Sequence, residues 1–283
     1  MLRRTLSAIA ALTLAAQVAQ AQTTGTTGQG GGLDFRSPLV SENISGLAAS
    51  HAQQASLLPG RVAVEASPTR IRSGQTSIRM QVQPGDCGPR ISGAQDDCAE
   101  GNERIDIDSD FVPGTQLYAF SLMLGSDFGS LNRNGTGVSL VQWYQRDLGA
   151  CYALQYSIQQ RELFLRNRCP QGVYDPANPE DIALRGRTFD SWNEFVILAV
   201  WSKGGDGLFR VLQNNTLVYD HRGPTLAPAG GDDVSQRFTV LRYNGLGTHG
   251  APSTIWLDDV VRSSGVAEIE QRYAFDRANL GVQ

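Results

Sequence analysis

Between Ser77 and Val261 the chain offers eleven short runs rich in alternating apolar and polar residues, punctuated by Gly, Pro, Asn and Asp. They are SIRMQVQ (77–83), ERIDID (103–108), LYAFSLML (117–124), VSLVQWY (138–144), CYALQYSI (151–158), ELFLR (162–166), EFVILAVW (194–201), LFRVLQ (208–213), TLVYD (216–220), RFTVLRY (237–243) and TIWLDDVV (254–261). A period of two is that of a strand with one dry and one wet face, so these runs predict strands. Asn214-Asn215 and Asp206-Gly207 are turn candidates between neighbouring runs. No helical window of comparable strength precedes Ser263, and the tail over 264–283 is more helix-like or frayed. Many strands without a 20- to 50-residue repeat argue against a propeller. The expected fold is all-β: a concanavalin-like jelly-roll sandwich of two curved antiparallel sheets, in one domain over 34–283.

What precedes that domain is of another kind. Arg3 and Arg4, an apolar run from Leu6 to Ala16 and then Ala19-Gln20-Ala21 fit a secretory signal over 1–21, too short for a membrane span. Residues 22–33, which open QTTGTTGQGGG, read as a flexible linker. No later segment approaches 18 apolar residues, so a soluble, secreted or periplasmic bacterial protein is expected, acting as a monomer. Four cysteines in an exported chain favour disulfides over metal. Of three connectivities, the sequential one, Cys87 with Cys98 and Cys151 with Cys169, is favoured.

Charge and motif content narrow the function. Of 24 basic residues only Lys203 is a lysine, and the full chain carries a net charge of −4. Without the leader it has 22 basic against 28 acidic residues and no basic tract, which argues against a nucleic-acid partner. There is no Gly-x-Ser-x-Gly, His-Glu-x-x-His or phosphate-cradling Gly-x-x-x-x-Gly-Lys, and no dinucleotide fingerprint in a strand-to-helix setting. Glu103, Asp106, Glu162 and Glu194 lie on strand-like runs, where solvated carboxylates are commoner than a hydrolytic pair. Asp86, Asp108, Asp258 and Asp259 are oxygen donors suited to a structural calcium, but no loop has calcium-binding spacing, so no cofactor is assigned. Trp143, Trp192, Trp201 and Trp256 sit in apolar contexts that suit a core better than a sugar platform.

Parity sorts the polar residues. Arg104, Asp106 and Asp108 share one face of their strand, Gln142 and Tyr144 share one face of theirs, and Thr239, Leu241 and Tyr243 another. Trp143 then points the other way, into the sandwich. A row of polar and aromatic groups across several strands is what a saccharide groove needs, but on parity alone an ordinary wet face is the commoner case.

Order and spacing add a resemblance. RSGQTSIRMQVQPGD (72–86), ERIDI (103–107), VQWYQ (141–145), FDSWNEFVILAVWSKGGDGLFRVLQNNTLVYD (189–220), RFTVLRYN (237–244) and IWLDDVV (255–261) resemble, in sequence, the motifs of the jelly-roll polysaccharide lyases, the heparin-lyase-I-like group related to alginate and glucuronan lyases. The resemblance implies cleavage of an acidic, uronate-containing polysaccharide by β-elimination. A base removes the C5 proton beside the carboxylate and the bond to O4 breaks. Such a site neutralises the carboxylate, stabilises the enolate and places a base and an acid within reach. Carried over, Arg104 and Gln142 match the arginine and glutamine that neutralise the carboxylate, and Tyr243 the closing tyrosine that acts as acid.

Three positions depart from the family. Tyr144 stands where the family has its histidine, Thr239 where it has a lysine, and Asp106 where it has a glutamate that holds Arg104 by a charge-assisted pair. As a base, Tyr144 needs its hydroxyl pKa, near 10 when unperturbed, lowered by arginines such as Arg104, Arg79 or Arg242. Arg79, Arg242 and Asp106 are therefore expected at the substrate site, with His249 swinging in from its Gly-rich loop. His51 and His221 are not placed for a role. The alternative is an inactive jelly-roll protein that binds glycan or serves at the cell surface.

Overall fold

The computed structural model describes residues 44–45, 60–87, 97, 99–132, 137–184, 189–245 and 249–282; the expected signal, linker and His51 lie outside them. In chain order the strands are β1 (Ile44–Ser45), β2 (Val62–Glu65), β3 (Ser77–Val82), β4 (Glu103–Asp108), β5 (Val112–Leu124), β6 (Val138–Gln145) and β7 (Gly149–Ser157). They continue as β8 (Glu162–Asn167), β9 (Glu180–Ala183), β10 (Trp192–Trp201), β11 (Leu208–Gln213), β12 (Thr216–Arg222), β13 (Asp233–Arg242) and β14 (Ser253–Ser263). Each of the eleven expected runs is one of these strands; β1, β2 and β9 are too short for the alternation to register. Asn214 and Asn215 both have positive φ, 49° and 61°, as a two-residue hairpin turn between β11 and β12 requires.

One ladder runs β2-β3-β14-β5-β10-β11-β12, with β1 parallel to β14, and a second runs β4-β13-β6-β7-β8-β9. They share β5, whose Val112 and Pro113 pair with β13 while Gly114 to Met123 pair with β10. Face to face, the ladders form the expected jelly-roll sandwich. Trp143 of the second sheet reaches into the first, 6.1 Å from Tyr118 and 5.3 Å from Phe209 between ring centres. Phe238 meets Phe120 edge-on at 5.3 Å, and Tyr152 stacks on Phe209 at 4.0 Å. Such pairs add about 0.5–1.5 kcal/mol each beyond the area they bury.

The tail forms two short helices, α1 (Val266–Glu270) and α2 (Arg277–Leu280). Ile269, Tyr273 and Leu280 cover Leu117, Ala119, Val196, Leu198 and Leu212 on the outer face of the first sheet, so this stretch of it is dry as well. The Tyr273 hydroxyl donates to the Asp259 carbonyl at 3.0 Å, and Arg72 lies over its ring at 4.9 Å. Beneath this lid sits Asp258, fully buried, its carboxylate accepting from the backbone N–H groups of Arg72, Ser73 and Asp259. Cys151 and Cys169 form the expected disulfide; Cys87 is also disulfide-bonded, and its expected partner Cys98 lies outside the described residues.

Burial pushes the Asp258 carboxyl up from 3.8 to about 6, against the pull of its backbone donors. The proton is held more tightly in the folded state, so the contribution of Asp258 to stability is complete below about pH 4 and is lost as pH rises through about 6. In Asp258→Asn, chemical denaturation across this window should lack a downward slope of up to about 1.4 kcal/mol per pH unit that the parent shows. Parallel pH profiles for the two proteins would exclude Asp258 as the titrating group.

Candidate active site

The open face of the second sheet is built from the residues that alternate with its core. Ile105 and Ile107 of β4, Trp143 of β6 and Phe238 and Val240 of β13 point inward. The residues between them face outward as adjacent rows, with Leu241 opposite Arg104, Thr239 opposite Asp106, and Arg237 between Asp108 and Gln142. Where these rows meet the turn after β6 and the segment after β8, a cleft of about 370 Å³ opens. Its lining includes Arg104, Gln142, Tyr144 and Tyr243, together with Arg168, Tyr174, Arg237 and Leu241. The four residues expected to share a site are thus brought together.

Tyr243 is the hub of the cleft. Its hydroxyl accepts from Gln142 Nε2 at 3.2 Å and from Arg168 Nη2 at 3.4 Å. Gln142 is held in turn against the Ser139 hydroxyl at 3.2 Å. Arg237 lies over the Tyr144 ring at 5.0 Å and makes a two-pronged pair with Asp108. Burial opposes its charge, but Asp106 and Asp108 outweigh that and hold the guanidinium firmly protonated. Arg104 is paired mainly with Asp97 at 3.0 Å; Asp106, the expected partner, is farther at 3.7 Å and also faces Arg237 at 3.9 Å. Thr239, at the family's lysine position, is fully buried and brings no charge.

Three expected site residues lie elsewhere. Arg79 alternates with the core residues Ile78 and Met80 on β3, so it belongs to the outer face of the first sheet, where it bonds the Gly60 carbonyl at 3.2 Å. Arg242 is one residue out of phase with Tyr243 and therefore points inward, fully buried against Glu103 and donating to the Ala251 carbonyl at 2.7 Å. His249 does not enter the cleft: its buried ring accepts from the Asn132 N–H at 3.2 Å, and burial, with Arg242 nearby, keeps it neutral. The four aspartates considered for calcium are dispersed, with Asp86 on Arg61, Asp108 on Arg237, Asp259 on Arg72 and Asp258 on backbone donors. Among the described residues no group of three or more His, Cys, Asp or Glu is gathered for a metal.

Arg237, Arg168 and Tyr174 are cleft residues that motif reading missed. Arg237 carried a signal, since it continues the parity row of Thr239 and Leu241. Arg168 and Tyr174 did not, because they follow β8, where alternation ends. The Arg168 N–H donates to the Cys151 carbonyl at 2.6 Å, and Cys169 is disulfide-bonded to Cys151, so the covalent link seats this segment on β7.

The family model for polysaccharide lyases matches residues 42–261, and the chain belongs to that family. It is a polysaccharide lyase. The fold is similar to that of an endo-β-1,4-glucuronan lyase from the fungus Trichoderma reesei, at 14% identity and a TM-score of 0.58, covering 80% of this chain and 96% of that one. It also matches, less closely, alginate lyases from Pseudomonas aeruginosa (11% identity, TM-score 0.48, 71% and 85% covered) and Alteromonas sp. 272 (11%, 0.44, 71% and 93%). A search of curated protein sequences finds no match.

Gly149 sets how closely the cleft wall approaches the sheet. Its φ is 154°, and a Cβ there would lie 2.5 Å from the Tyr174 hydroxyl. Gly149→Ala should cost about 1–3 kcal/mol through overpacking. The part due to Tyr174 should vanish in a Tyr174→Ala background, read by urea denaturation of the double-mutant cycle; additive losses would show that the two residues do not press on each other.

Proposed function

We propose that this lyase is exported and cleaves a uronate-containing polysaccharide, glucuronan-like or alginate-like, by β-elimination in the cleft. The observation that carries the reading is the Tyr243 hydroxyl, which accepts hydrogen bonds from both Gln142 and Arg168. The Tyr243 hydroxyl gives its proton to the leaving O4, and the same two donors stabilise the phenolate that donation leaves behind. Tyr144, beneath the Arg237 guanidinium, takes the C5 proton as base in the place of the family histidine. The electron pair of the C5–H bond becomes the C4–C5 double bond as the bond to O4 breaks.

Gln142 and a guanidinium of the cleft meet the uronate carboxylate, which lowers the cost of charge building up beside it. These steps use protein side chains alone. The leader-like segment over 1–21 and the Cys151–Cys169 disulfide support export, and the among-strand position of the site needs no second subunit. Among the described residues no helix is long and apolar enough to cross a membrane.

Incubation with a panel of uronate polysaccharides should raise absorbance near 235 nm as unsaturated ends form. Tyr243→Phe should lower that rate at least about a hundredfold, the usual scale for loss of a general acid, with an unchanged circular-dichroism spectrum. No unsaturated product from any polymer, with binding retained, would favour a glycan-binding protein; an unimpaired Tyr243→Phe enzyme would mean that another group is the acid.

A further inference from the structure

Among the described residues three arginines line the cleft, and they are not equivalent. Arg104 is mostly buried and faces Asp97 and Asp106; Arg237 is mostly buried and faces Asp108 and Asp106. Two guanidinium groups thus stand among three carboxylates, and this network offers no net positive charge to an incoming anion. Nε and Nη1 of Arg104 and Nη1 of Arg237 are also shut away from solvent. A substrate carboxylate would have to displace an existing buried pair to reach either, which leaves an aspartate uncompensated.

Arg168 differs on both counts. It is half-buried on the cleft wall, and among the described residues it has no carboxylate within salt-bridge distance; its side chain donates to the Tyr243 hydroxyl and its charge also acts on Tyr174. Its neighbour Arg166 is already taken by a two-pronged pair with Asp181. The backbone of Arg168 is fixed on both sides, donating to the Cys151 carbonyl at 2.6 Å and accepting from the Asp175 N–H at 2.7 Å. Among the described residues of the cleft, which also include Glu100, Arg168 is thus a cation with a fixed backbone and no paired carboxylate, beside the hydroxyl that the elimination uses.

Resting on the uronate-lyase reading above, we propose that Arg168 is the residue that receives the substrate carboxylate, while Arg104 and Arg237 act as positioning residues that hold the floor of the cleft. A planar guanidinium takes a carboxylate through two parallel N–H bonds, and Arg168 has that fork available. Bound there, the carboxylate lies next to Tyr243 and Gln142, which sets C5 and O4 over the proton-transferring hydroxyls. This also accounts for carboxylate recognition on a sheet whose lysine position is an inert threonine.

The test uses affinity electrophoresis in gels cast with β-1,4-polyglucuronate or polymannuronate, and with each polymer after reduction of its carboxyl groups to neutral hydroxymethyls. Arg168→Gln should weaken retardation by the acidic polymers roughly ten- to a hundredfold, the scale of one charge-assisted pair, and leave retardation by the reduced polymers at the parent's level. Arg168→Lys, which keeps the charge without the fork, should fall between the two, and KM for the acidic polymer should rise in the same order. Thermal melting controls for folding, which the half-exposed Arg168 should not disturb. Parent-like retention and KM in Arg168→Gln, or equal losses on acidic and reduced polymers, would overturn the assignment. If the parent makes unsaturated product and Arg168→Gln does so with unchanged KM, only this inference fails; a parent that neither cleaves nor is retained by any acidic polymer removes the uronate reading and this inference together.

Discussion

The placement of Trp143 governs everything on the open face. Its ring is packed among Tyr118, Phe120 and Phe209 of the opposite sheet and has almost no exposed surface. Exposing it would forfeit several kcal/mol, on the scale of a large side chain removed from a core. With Trp143 inside, Gln142 and Tyr144 can only be outside. A slip of one residue would send both into the core and expose the indole, so the register of β6 is held by its largest apolar residue. Phe238 and Val240 exert the same constraint on β13, which is why Arg237 and Leu241 arrive on the same face as Gln142.

Charge is organised in two layers around that constraint. Glu103 and Arg242 face the interior from the edge of the same sheet, completely enclosed, and such a pair is costly to break because either partner left alone is an uncompensated buried charge. On the other side of the backbone, Arg104 and Arg237 are balanced by Asp97, Asp106 and Asp108. On the proposed function, a net negative protein serves an anionic polymer because the few groups that meet it are sorted locally and the total charge acts only from a distance.

How far the site was legible follows the same geometry. Alternation and motif order were enough to bring Arg104, Gln142, Tyr144 and Tyr243 together, since parity holds over the stretch of each strand that lines the cleft. Arg242 is one residue out of phase with Tyr243 and so points inward, whereas Arg79 lies on β3 of the other sheet, neither face of which meets the cleft. Arg168 was illegible for another reason. Its position depends on a disulfide between Cys151 and Cys169 and on backbone bonds in an irregular segment, none of which leaves a periodic trace. The tail was ambiguous because helices as short as α1 and α2 have little periodicity; what orders them is the apolar face beneath.

The shared strand β5 ties these regions into one mechanical unit. Its first residues pair with β13, next to the cleft, and its remainder is the spine between β14 and β10, under the tail. Neither sheet can shear past the other without tearing this strand's hydrogen bonds, and loosening of the tail is felt along the strand that anchors the cleft floor. The molecule has the connectivity for a single cooperative unfolding transition, in which the open face of the second sheet and the helices on the far side of the sandwich are joined through one strand.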